Sequence, residues 1–65
     1  MQNSDAVGLT YRSLTGAERE AMYSVKEKGK EFLDMLDALG SSPELTVSKQ
    51  RIEEAVMWAV KHISA

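Results

Sequence analysis

At 65 residues the chain is short for a self-sufficient domain, because a chain of this size buries only about 60% of the surface its unfolded form exposes. It has no cysteine, which excludes disulfides and thiolate metal sites, and its one histidine, His62, has no ligand partner at metal spacing. A formal charge of -2, with acids and bases interspersed, implies no broad basic surface for duplex nucleic acid, so self-association is the expected source of extra stability.

Residues 1–10 lack apolar periodicity and contain Gly8, and are expected to form a flexible or short helical arm. The start, Met1-Gln2-Asn3-Ser4-Asp5, lacks the basic and apolar regions of a secretion signal. No apolar run approaches the roughly 18 residues of a membrane span. A soluble cytoplasmic protein is therefore expected, with no membrane partner.

A leader at 11–15 reads Tyr11-Arg12-Ser13-Leu14-Thr15 and precedes a helix predicted over 16–39. Thr15 and Glu18 fit a capping box at its start. Met22, Val25, Gly29, Phe32, Leu36 and Leu39 recur at spacings of three and four, which predicts one stripe along that helix. Gly40 suits a left-handed C-terminal position. Ser42 as N-cap and Pro43 at the first helical position open a second helix, predicted over 43–63.

So short a connection predicts an antiparallel helix hairpin, with Leu45, Ile52, Val56, Ala59 and Ile63 meeting the first helix. The run from Ala55 to Val60 is apolar all round, more than one hairpin partner can cover, so Met57 and Trp58 are expected to face another subunit. Gly29 inside a helix costs about 1 kcal/mol relative to alanine. Either close helix approach or room for a ligand beside Lys26 and Lys30 offsets that cost.

Catalysis finds little support in the chain. It has no nucleophile elbow, no phosphate-cradling glycine loop and no arranged metal ligands, so neither an enzyme nor a cofactor is expected. Glu27 and Glu31 sit one turn apart, and Lys28, Lys30 and Asp34 read with them as ordinary pairs on a solvated face; Lys49–Glu53 and Arg51–Glu54 read the same way. His62, one turn after Trp58, could place a cation over the indole.

Tyr11, Arg12 and Lys26 carry the one chemical signal, since a flat aromatic, a forked cation and a helix-borne lysine suit a phosphorylated base. The plainer alternatives stay open. A leader tyrosine can simply lid the hairpin core, and a lysine beside the apolar stripe can extend its stem over it with the head in water.

The order of Tyr11-Arg12-Ser13-Leu14-Thr15, then Glu18, Met22, Val25-Lys26 and Gly29, and finally Ala55-Val56-Met57-Trp58-Ala59-Val60-Lys61, resembles a family of small phage proteins. These are the anti-CBASS sponges, which bind the cyclic oligonucleotide messengers of bacterial cGAS-like immunity without cleaving them. The likeness covers about residues 9–64. It implies an all-α homohexamer of hairpins in the cytoplasm of an infected bacterium, with cyclic dinucleotides such as cyclic GMP–AMP held in pockets shared by two protomers. Tyr11 would stack on a base and Lys26 would meet phosphate, with Arg12 beside them. For cyclic trinucleotides, in a separate pocket where protomers meet, the resemblance points to Lys28 and Lys61. The alternative from another class is a phage interaction or assembly module docking through Met57 and Trp58.

Overall fold

The computed structural model describes residues 12–65, and Tyr11 and the arm before it lie outside the described residues. Helix α1 runs Gly16–Leu39 and helix α2 runs Pro43–Ser64, joined at Gly40-Ser41-Ser42 into the expected antiparallel hairpin. No strand occurs among the described residues, and no helix there is long and apolar enough to cross a membrane.

Local chemistry sets the helix ends. At the start of α1 the Glu18 N–H donates to Thr15 Oγ1 at 3.1 Å and the Thr15 N–H donates back to Glu18 Oε1 at 2.9 Å, a complete capping box. Ser42 caps α2 by accepting from the Leu45 N–H at 3.1 Å, with Pro43 directly after it. Gly40 departs from the left-handed helical conformation its sequence suggested: its φ of 124° and ψ of -141° put it in a region that is essentially glycine-only. The chain thereby leaves α1 extended enough for a three-residue connection.

The α1 face that meets α2 is Met22, Val25, Gly29, Leu33 and Leu36, with Glu18 and the half-buried Leu14 of the leader at its open end. Phe32 and Leu39, expected on this stripe, lie off it at 50% and 70% exposure, and Leu33 takes the place given to Phe32. The cause is helical phase. At about 100° per residue, a step of four from Gly29 keeps Leu33 near the axis of the face that also holds Leu36, whereas a step of three rotates Phe32 to its edge. On α2 the expected Leu45, Ile52, Val56, Ala59 and Ile63 are all half-buried.

Gly29 is the point of closest approach. A β-carbon there would collide with Val56 Cγ2, so of its two readings the helix contact is the one the fold realises. Gly29 and Leu36 are the only buried residues among those described. The hairpin is a thin slab, 47 × 26 × 12 Å, with a radius of gyration of 15.4 Å against about 11 Å for a compact domain of this length.

Candidate functional site

Two grooves flank α1. The first, about 320 Å³, is lined by Tyr23, Lys26, Glu27 and Lys30, all from α1, and is open to solvent. Tyr23 and Lys26 stand one turn apart, which places an aromatic face beside an ammonium. The Tyr23 hydroxyl lies 3.5 Å from Glu27 Oε2. Tyr23 was absent from the sequence-based candidates, although its three-residue spacing from Lys26 is the signal that would have found it.

Lys26 differs from every other described lysine and arginine. Arg12 is bound to Glu18, Lys28 to Glu31, Lys30 to Asp34, Lys49 to Asp37 and Arg51 to Glu54. Arg19 donates to the Leu14 carbonyl at 2.9 Å, and Lys61 sits over the Trp58 ring, 5.7 Å from its centroid. Among the described residues Lys26 alone has no acid, carbonyl or aromatic partner, so none of their contacts has to break before it meets an incoming anion.

The second groove, about 340 Å³, lies at the open end of the hairpin between Arg12, Ala17, Glu18, Ala21, His62 and Ile63. Here the Arg12 guanidinium is fully engaged. Nη1 and Nη2 donate to the two Glu18 carboxylate oxygens, each at 2.9 Å. Nε donates to the Ala65 carbonyl at 2.8 Å, Nη2 to the Ile63 carbonyl at 2.9 Å, and Nη1 makes a longer bond of 3.4 Å to its neighbour's Ser13 carbonyl. Those bonds occupy the five N–H donors of an arginine side chain. The hydrogen bond from Arg12, reinforced by the Thr15 N–H, holds the Glu18 carboxyl well below the usual range, at about 2, and the same pair pushes the Arg12 pKa up.

The remaining candidates are dispersed. Lys28, bonded to Glu31 at 3.5 Å, lies two residues from Lys26 and so on the opposite flank of α1. Lys61 stands on the back of α2 with Trp58, and it rather than His62 supplies the cation over that indole, while His62 turns into the Arg12 groove. Lys49 reaches Asp37 across the hairpin instead of pairing with Glu53 along its own helix. Among the described residues no group of three or more histidine, aspartate or glutamate side chains could hold a metal ion.

Two helices of these lengths, a capped three-residue connection and a leader anchored at the open end make up the architecture on which comparison with known proteins bears. The family model of the Acb2/Tad1 hairpin domain matches residues 2–64. The chain belongs to the Acb2/Tad1 family. Acb2 and Tad1 proteins are anti-CBASS cyclic-oligonucleotide sponges, which bind their nucleotides rather than transform them. No curated protein and no solved structure gives a match.

Proposed function

We propose that this chain sequesters cyclic oligonucleotide second messengers in the cytoplasm of an infected bacterium. It holds cyclic dinucleotides such as cyclic GMP–AMP at a site built around Lys26 and Tyr11, and cyclic trinucleotides at a second site that draws on Lys28 and Lys61. Sequestration without cleavage keeps the host effector idle in proportion to the messenger removed, so the protein works by affinity and copy number.

The observation that carries this reading is Lys26, without a partner among the described residues, in a groove beside an exposed aromatic, in a chain whose family binds cyclic oligonucleotides. A phosphodiester oxygen is a natural acceptor for a lysine that no acid holds among the described residues. The groove is lined by one helix only, so a second protomer is needed to enclose a nucleotide; this favours a shared pocket in a homohexamer. Stacking on Tyr11 contributes roughly 1–3 kcal/mol per base by analogy with single-strand binders.

A thermal-shift panel of cyclic dinucleotides and trinucleotides tests the proposal. A ligand at 100 times its dissociation constant adds about 2.7 kcal/mol of apparent stability. Lys26→Ala and Tyr11→Ala are each expected to weaken cyclic dinucleotide binding in calorimetry by at least about 1 kcal/mol while the oligomer persists. Trinucleotide binding is expected to survive both and to weaken with Lys61→Ala. The ligand recovered after denaturation should be chemically intact.

A docking module is the second reading, favoured by Met57, Trp58 and Val47, each about half exposed on α2. Absence of a shift with every cyclic nucleotide would select it.

A further inference from the structure

Tyr23 stands apart from the other exposed apolar side chains of α1. Phe32, Met35 and Leu39 follow one another at spacings of three and four, so they form a single seam on one flank of the helix. The step from Tyr23 to Phe32 turns the helix by about 900°, or two and a half turns, which puts Tyr23 on the opposite flank. An assembly contact along the Phe32 seam therefore leaves Tyr23 uncovered, and nothing in the packing of the hairpin accounts for a tyrosine that is 66% exposed.

The surroundings of Tyr23 are polar and specific. Tyr23, Lys26 and Lys30 each directly follow a residue of the α2-facing stripe, Met22, Val25 and Gly29, and so stand in line beside it. Together with Glu27 they line the groove of about 320 Å³. The charges of this flank cancel: Asp34 holds Lys30 at 2.9 Å, and Glu27, though it makes no bond to Lys26, offsets its charge at longer range. Such a flank attracts a dianion only weakly by charge, so a contact of another kind has to supply much of the affinity. The Tyr23 ring is the one aromatic surface in the groove.

We propose that Tyr23 is a ligand-contact residue of the Lys26 site, its ring stacking on a base of the cyclic oligonucleotide whose phosphate Lys26 meets. This rests on the proposed binding of those messengers, and adds to it an aromatic carried by the helix itself. Stacking tolerates any base because every base has a π-face, so Tyr23 raises affinity for the ligand class without selecting one base. The Tyr23 hydroxyl, 3.5 Å from Glu27 Oε2, makes only a long bond, and the contact lies with the ring.

Calorimetry with cyclic GMP–AMP on the full chain tests the contact. Tyr23→Ala and Tyr23→Leu are each expected to bind at least fivefold more weakly, with the oligomeric mass unchanged by light scattering; leucine keeps an apolar side chain but has no π-face. Tyr23→Phe keeps the ring and should recover most of that loss. Glu27→Gln removes the acid of the groove and should bind at least as tightly as the wild type. The second readout is NMR of protein carrying carbon-13-labelled tyrosine. The chain has two tyrosines, so Tyr11→Phe identifies the Tyr23 ring signals, which should move upfield with ligand under the ring current of a stacked base.

Undiminished affinity in Tyr23→Ala would overturn the contact. So would a lower oligomeric mass in that variant, which would make Tyr23 an assembly residue. Recovery by leucine would replace stacking with plain apolar burial, and weakening in both Tyr23→Phe and Glu27→Gln would move the role to the hydroxyl; either result overturns the stacking. If the wild type binds no cyclic dinucleotide or trinucleotide, the binding reading itself falls and the role of Tyr23 with it. That outcome is distinct, because it is read on the unmutated protein.

Discussion

Glu18 performs two tasks with one carboxylate: Oε1 closes the capping box on the Thr15 N–H, and both oxygens hold Arg12. Its acidity follows from those donors, which favour the charged form and depress its pKa from 4.5 to about 2. A carboxylate depressed by folding contributes stability that is fully present above its unfolded pKa and is lost as pH falls through the folded one. The melting temperature of the wild type should therefore fall between pH about 4.5 and about 2, and Glu18→Gln, which has no proton to take up, should show a shallower slope over that window. Equal slopes for the two proteins in a thermal titration would contradict the assignment. Lys26 shows the opposite condition at the same scale. Its distinction is to have no acid, carbonyl or aromatic partner among the described residues, a property that emerges only once the partners of the other seven cations are known. The sequence could propose Lys26 but not that vacancy. Arg12 was legible as a forked cation beside an aromatic, yet two of its acceptors, the Ile63 and Ala65 carbonyls, lie 51 and 53 residues away, and no local pattern encodes them.

Helix start and stop signals were the most readable part of the chain, because a cap is a contact between residues three apart and is written in adjacent letters. Thr15, Glu18, Ser42 and Pro43 all act as their types suggest. Facing direction was less readable. The stripe through Phe32 and Leu39 and the stripe through Leu33 and Leu36 differ by a fraction of a turn, and both are apolar, so only contact with α2 selects one. Gly29 makes that selection. Where Val56 presses on the α1 backbone, only a residue without a β-carbon lets the helices meet. Gly29→Ala gains roughly 1 kcal/mol of helix propensity but overpacks the contact at a cost of about 1–3 kcal/mol. A net loss of up to about 2 kcal/mol is expected by denaturant titration. In a Val56→Ala background the collision is gone and the propensity gain remains, so Gly29→Ala should there become neutral or stabilising. If the two substitutions prove additive, Gly29 is not where the helices are gauged.

The described hairpin is too thin to be held by its own interior: Leu36 is the one buried apolar side chain among the described residues, while Phe32, Met35 and Leu39 line one flank of α1 and Val47 and Trp58 the back of α2. Exposed apolar side chains on both helices are what an assembling subunit presents, and their burial in an oligomer would supply stability that a chain of this length lacks. Fold and assembly should then be one equilibrium. Light scattering is expected to give a hexameric mass, and the helical signal in circular dichroism should melt at a temperature that rises with protein concentration. Trp58→Asp places a charge in a contact that assembly would dry, so it should lower the mass and the melting temperature together. Loss of the nucleotide pocket should follow, since the Lys26 groove has walls from one helix only. A Trp58→Asp protein that runs as a monomer yet melts like the wild type would show that the hairpin stands alone. The exposed apolar flanks would then have to be read as docking surfaces for some other molecule.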